Sequence, residues 1–247
     1  MTSATITMSA ARAEQVTKTY GSGDARVTAL DGVSVAFRQG EFTALMGPSG
    51  SGKSTLLHCL AGLDVVTGGR IFLGDTDLGT LSDRDLTLLR RHRLGFIFQA
   101  FNLLPNLTAL QNITLPATLA GTKVDGAWLD TVIETVGLAD RLGHRPTELS
   151  GGQQQRVAVA RALAQRPDIV FADEPTGNLD SRSSAEILRF LRTAREEYGQ
   201  TIVMVTHDPV AASHADSAIF LADGRIVGTL ESPTADTVLD HFKQWEA

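Results

Sequence analysis

Three short stretches carry almost no polar side chains: Phe42 to Met46, Ile169 to Ala172 and Ile202 to Val205. Apolar runs of this length, without alternation, predict parallel strands covered on both faces. Val33 to Phe37, Ile71 to Leu73 and Phe96 to Phe98 read as further short strands, and Gln39-Gly40 turns the first of them into the run at Phe42. Ile219 to Leu221 and Ile226 to Leu230 flank Asp223-Gly224, a hairpin signal. A helical period takes over elsewhere. It runs from about Lys53 to Ala61 and stops at Gly62. It returns from Ser82 to Arg93, with leucines at 86, 88 and 89 and a basic end, and from Ser183 to Tyr198, where Ile187, Leu188 and Leu191 share a face. Between about Thr108 and Ala164 the helical spacing is interrupted by Pro116, Gly121, Gly137 and Pro146 with no strand, which predicts an inserted helical subdomain over about 106–165.

The bulk numbers change this picture little. The 247 residues are 43% hydrophobic and 20% charged, enough for one large globular domain with a real core. Residues 1–13 lack the basic start and apolar stretch of a secretory signal and read as a flexible tail, with Met8 a second candidate start, leaving 14–247 as one domain. No run reaches the roughly 18 apolar residues that cross a bilayer. The net charge of −6 is concentrated late: from Asp208 onward seven acids face two bases. That balance argues against nucleic acid as a partner. Cys59, the single cysteine, lies among Leu56, Leu57 and Leu60, excludes a disulfide within the chain and reads as core packing in a cytoplasmic protein.

The chemistry enters at Gly47-Pro48-Ser49-Gly50-Ser51-Gly52-Lys53-Ser54-Thr55, which fits G-x-x-x-x-G-K-[ST] without a mismatch between a strand and a helix. Glycines let successive backbone N–H groups close on an anion, and the helix N-terminus adds its free donors and dipole. The loop therefore binds a nucleoside triphosphate, with Lys53 at the β- and γ-phosphates, Ser54 on Mg²⁺ and Thr55 toward the α-phosphate. Three polar groups follow apolar strands directly: Gln99 after Phe98, Asp173 and Glu174 after Ala172, and His207 just past Val205. Ligands of open α/β sheets bind outside the carboxyl ends of the strands, so all three converge on the loop. Asp173 suits the second Mg²⁺ anchor, Glu174 the base that takes a proton from the attacking water, His207 a γ-phosphate contact and Gln99 a sensor of metal and water. Ser150-Gly151-Gly152-Gln153, preceded by Leu149, is a second capped helix N-terminus and a second anion site, about a hundred residues from the loop.

Taken in order, the loop at 47–55, Gln99, Leu149 to Gln153, Ile169 to Glu174, Asn178-Leu179-Asp180 and His207 resemble an ATP-binding-cassette ATPase over essentially all of residues 14 to 230. The resemblance implies an α/β phosphate-loop NTPase core with a mostly parallel sheet, an N-terminal antiparallel β subdomain and the helical insertion. It implies ATP and Mg²⁺ as cofactors and places Tyr20 against adenine. It also answers which phosphate the second anion site holds. Two cassettes pair head to tail, Ser150 to Gln153 of one closing on the γ-phosphate held by the other, so the chain works as a homodimer or beside a sister subunit. Asn178 to Asp180 then cross the interface. Phe98 to Pro105 and Pro175 to Asp180 are similar to the macrolide-export, lipoprotein-release and cell-division branch. There the ATPase sits peripherally on the inner face of the membrane under a separate permease, and Gln99–Pro105 would receive it through Phe101, Leu103 and Leu104. Gln111 and Ser217 depart from that branch's usual Glu and Arg, both away from catalytic positions.

Two other ATPase classes fit less well. DNA-repair and chromosome-organising ATPases place coiled-coil arms or zinc inserts between loop and signature, where this chain has no heptad repeat or cysteine pair. Translation ATPases carry two cassettes. A non-transporting regulator acting through a permease-like partner stays open beside a transporter subunit.

Overall fold

In a computed structural model, which describes residues 9–246, the chain forms two sheets with helices between and beside them. The first sheet is antiparallel, with strands β1 (Ser9–Tyr20), β2 (Val27–Arg38), β4 (Gly68–Leu73) and β5 (Thr76–Asp77) in the order β2-β1-β4-β5. The second holds β3 (Phe42–Met46), β6 (Leu94–Phe98), β7 (Ile169–Asp173), β8 (Thr201–Val205), β9 (Ser217–Ala222) and β10 (Arg225–Glu231) in the order β10-β9-β3-β8-β7-β6. All its neighbours run parallel except the β9–β10 hairpin.

The apolar strands divide their side chains between two cores. Phe42, Ala44 and Met46 of β3, Val170 and Ala172 of β7, and Ile202 and Met204 of β8 join one core. Leu45, Ile169, Phe171, Val203 and Val205 point to the other, shared with the antiparallel sheet and with α1 (Lys53–Leu60). Period-two alternation across a sheet covered on both sides gives this division. Helix α1 thus lies between the sheets, and the loop preceding it emerges at their common edge. Phe171 is fully buried in that layer. Phe171→Ala should cost about 3–5 kcal/mol, read as a fall in the thermal or urea unfolding midpoint.

The first core is completed by α3 (Ala109–Ala120), α4 (Gly126–Thr135), α5 (Gly151–Leu163), α6 (Ser181–Tyr198), α7 (Pro209–Ala212) and α8 (Ala235–Glu246). Helix α2 (Asp83–Arg93), capped by Ser82, leads into β6. Between β6 and β7 the described residues form helices and turns without a strand. Pro116 sits inside α3, which is capped by Thr108 and Gln111 in a reciprocal box.

The expected tail is shorter than 1–13. Strand β1 begins at Ser9, and Ala10, Ala11 and Ala13 are buried against β2 and β4. Small alanines carry little hydrophobic signal, yet they let the two sheets approach around α1. Met8 and the residues before it lie outside the described residues.

Candidate functional site

The turn from β3 into α1 is held open by backbone constraints that only glycine meets. Gly47 has φ +147°, and a Cβ there would lie 2.0 Å from the Leu221 carbonyl oxygen. Gly52, with φ +101°, caps α1 in a left-handed conformation. Lys53 is buried, its Nζ donating to the carbonyls of Gly47 (2.9 Å) and Pro48 (2.7 Å). Burial pulls its pKa down, opposed by the carboxylates of Glu174 and Asp173. The Asp-Gly hairpin turn braces the loop from behind: Gly224 N–H donates to the Ser51 carbonyl at 3.0 Å, and Asp31 N–H to the Gly224 carbonyl at 2.9 Å. Its sequence gives only the hairpin. The bracing role depends on where the sheet places it.

Beside the loop lies a cavity of about 550 Å³ lined by Ala29, Ser49, Gly50, Gly52, Lys53, Ser54, Thr55, Glu174 and His207. Asp173 closes the β7 end, where its Oδ1 accepts from Ser54 Oγ at 3.2 Å. Glu174 has a left-handed φ of +49°, uncommon for a residue with a side chain. Its N–H still donates to the Val205 carbonyl at 3.0 Å, extending the β7–β8 ladder by one bond. This twist past the strand end turns the carboxylate into the cavity, where Oε1 meets His207 Nδ1 at 2.8 Å. Loop, acids and histidine are therefore one site, as their positions after β3, β7 and β8 require.

Gln99 sits at the same edge, but its Nε2 donates to Asn178 Oδ1 at 3.3 Å and Asn178 Nδ2 donates back to the Gln99 carbonyl at 2.9 Å. It does not line the cavity. Asp180 caps α6 through the N–H groups of Ser183 and Arg182, and the Ser183 N–H and hydroxyl, with the Arg182 N–H after them, hold its carboxylate pKa down.

Ser150, Gly151, Gly152 and Gln153 stand apart from the cavity at the start of α5. Ser150 Oγ accepts from Gln153 N–H, and Gln153 Oε1 accepts from Ser150 N–H at 2.9 Å. At Gly152 a Cβ would come within 2.6 Å of Ser183 Oγ, so α5 packs closely on α6 there and a larger residue would have to displace that hydroxyl.

Two side chains further along α5, missed from the sequence, bind this helix to the strand ends. Gln155 is fully buried, its Nε2 donating to the Pro175 carbonyl (2.5 Å) and the Phe98 carbonyl (3.4 Å). The Arg161 guanidinium forks onto the carbonyls of Asn102 (2.6 Å) and Phe101 (2.8 Å), both at positive φ. A fork of fixed geometry can hold two consecutive strained residues. Arg161→Met leaves both carbonyls unpaired and should cost about 2–3 kcal/mol. It should also speed amide exchange over 99–105, measured by mass spectrometry.

The segment Gln99–Pro105 thus lies on α5. Phe101 and Leu103 are half-buried, Leu103 against the first core, and only Leu104 of the three expected contacts is largely exposed. Phe98 and Asn102 border a mainly apolar groove of about 450 Å³ that reaches Leu63, Leu115 and Leu119.

Tyr20 ends β1 and is 42% exposed as a residue. Its hydroxyl donates to Asp64 Oδ2 at 2.6 Å, and the Thr55 side chain lies against the phenol. The aromatic thus stands at the far end of the phosphate loop from Gly47.

Fold and site together define a phosphate-loop nucleotide-binding protein with a carboxylate, Glu174, facing the loop across the cavity. The family description "ABC transporter" matches residues 30–177. An uncharacterised ABC transporter ATP-binding protein of Thermotoga maritima is 47% identical over 86% of this chain and 92% of its own. The lipoprotein-releasing system ATP-binding protein LolD of Geobacter metallireducens is 46% identical over 86% of this chain and 95% of its own. The macrolide export ATP-binding/permease protein MacB of Chlorobaculum tepidum is 49% identical over 86% of this chain, which spans about a third (33%) of that longer protein. A dimeric bacterial ABC transporter cassette superposes with a TM-score of 0.82 and 41% identity, covering 90% of this chain and 98% of its own. Its post-hydrolysis dimer, bound to ADP and Pi, gives 0.81 and 40%. The chain belongs to the ABC transporter family and is one of its ATP-hydrolysing subunits. Among the described residues no helix is long and apolar enough to cross a membrane.

Proposed function

We propose that the chain energises a separate membrane permease by hydrolysing ATP between two cassettes, in a system of the export or lipoprotein-release type. The observation that carries the two-cassette reading is the separation of two anion-ready helix starts. The loop at α1 opens on the cavity with Glu174 and His207, whereas Ser150 to Gln153 at α5 do not line it. A second chain placed head to tail would supply the missing wall, and the dimeric form of the related cassette supports that arrangement.

Within each site the backbone of Gly47 to Thr55 cradles the phosphates. Lys53 exchanges the carbonyls of Gly47 and Pro48 for phosphate oxygens. Ser54 and Asp173 are oxygen donors already facing one another, a set that suits Mg²⁺, which takes few protein ligands and shares the phosphates. When bound, that ion would neutralise charge on the β- and γ-phosphates. Glu174 takes the proton of the attacking water, and His207, hydrogen-bonded to it, fixes the carboxylate and reaches the γ-phosphate. Gln99 joins the site when its pair with Asn178 opens.

Leu104 and the neighbouring groove are the surface offered to the permease, which would hold the subunit peripherally at the inner face of the membrane. A Leu104→Cys chain, purified with a candidate permease carrying a cytoplasmic cysteine and oxidised, should crosslink to that permease's cytoplasmic side. A permease that neither crosslinks there nor changes ATP turnover would remove this partner.

A further inference from the structure

The ring of Tyr20 is not simply left on the surface. Its hydroxyl is fixed at 2.6 Å to Asp64 Oδ2, and the other carboxylate oxygen accepts from Lys18 Nζ (2.5 Å) and from Val65 N–H (2.8 Å). Lys18 Nζ also donates to the Val65 carbonyl at 2.7 Å and lies 4.7 Å from the centre of the Tyr20 ring. Lys18 itself is only 9% exposed. One ammonium therefore grips the carboxylate that tethers the phenol and covers the ring. Tyr20 as a whole residue stays 42% exposed.

An exposed ion pair adds little to stability and spends side-chain entropy to form. A lysine withdrawn from water to serve one carboxylate, one carbonyl and one ring fits a different task, the fixing of an aromatic plane. A tethered ring forfeits less rotational freedom when a flat base stacks on it, which is preorganisation. The cation on one side also draws on the π-electrons of the ring.

We propose that Asp64 and Lys18 are positioning residues for base recognition, holding the Tyr20 ring as a preset platform for the nucleobase while taking no part in phosphate binding. This rests on the reading that Tyr20 stacks on the base.

The test compares Mg·ATP with inorganic triphosphate, which lacks a base, by calorimetry and by competition. Tyr20→Ala should weaken ATP about 10-fold. Asp64→Ala, Lys18→Met and Tyr20→Phe should each weaken it about 3-fold. All four should leave triphosphate affinity unchanged, and Asp64→Ala and Lys18→Met should raise KM for ATP with kcat unchanged. The double variant Tyr20→Phe/Asp64→Ala should bind ATP as the single variants do, because both remove the same tether. Equal weakening of ATP and triphosphate by Asp64→Ala would show that the anchor serves only the fold and would overturn the proposal. Full ATP affinity in Asp64→Ala, with loss in Tyr20→Ala, overturns it as well. Unchanged ATP binding in Tyr20→Ala would instead remove the stacking reading, and the proposal with it. Lys53→Ala, which should lose both ligands, reports on the phosphate loop alone.

Discussion

Glu174→Gln should bind ATP as tightly as the natural chain and turn it over at least about a hundred-fold more slowly, the lower end of what a general base contributes. The amide has the size of the carboxylate and can keep the bond to His207 Nδ1, so the cavity should keep its shape. It cannot accept the proton of water. With hydrolysis stalled and binding intact, the ATP-bound, closed pair should accumulate, because ATP shifts the association equilibrium only by its preference for that state. Steady-state turnover and gel filtration with Mg·ATP read the two effects separately. Near-normal turnover would take Glu174 out of the base role. The left-handed backbone at Glu174 makes the position unforgiving, since strain kept at a strand end is tolerated where it aims a functional group.

The second large effect concerns the proposed division of the site between two chains. Lys53→Ala removes the ammonium proposed to meet the phosphates and should cost roughly 30- to 5000-fold in ATP affinity, the range for losing a buried, hydrogen-bonded charge. Ser150→Arg fills the cap of α5 with a long cation and removes the box with Gln153. On the proposed head-to-tail pairing, neither homodimer then has a complete site. A mixed dimer has one, built from the intact loop of the Ser150→Arg chain and the intact α5 start of the Lys53→Ala chain. Nucleotide-dependent association should therefore be lost in each variant alone and return when they are mixed. If no mixture associates while the natural chain does, the head-to-tail site is wrong.

Much of this site is legible before any coordinates, because its chemistry uses the ends of strands that must be apolar. Phe42 to Met46, Ile169 to Ala172 and Ile202 to Val205 need water-free surroundings on both faces, and the groups that follow them have to lie at one edge. The glycine pattern of the loop is equally explicit, since a side chain at Gly47 would meet the Leu221 carbonyl. Strand β1 is less visible. Its inner face is built from alanines, and its pairing with β2 shifts register several times, which blurs the alternation. Helix α8 is not among the predicted elements although Val238, Leu239, Phe242 and Trp245 stand at helical spacing; Val238 is fully buried. The contacts of Gln155 and Arg161 are hidden for another reason. Their partners are backbone carbonyls, which every residue has, so no residue type marks them. Lys18, Tyr20 and Asp64 look ordinary alone, since the first two are separated from the third by more than forty residues and the first sheet brings them together. Ser217, a departure from the usual family pattern, donates to Glu41 Oε1 at 2.6 Å and fastens the start of β9 to the residue just before β3.

Cys59 is 1% exposed on α1, and burial pushes its thiol up to about 11, so at neutral pH almost none of it is thiolate. Maleimide and methanethiosulfonate reagents should therefore pass it by in the folded protein. Any cysteine introduced on the surface then becomes the sole reactive handle without first stripping the natural one. Spin or fluorophore pairs placed on two identical chains can follow their approach and separation through a catalytic cycle with no background signal.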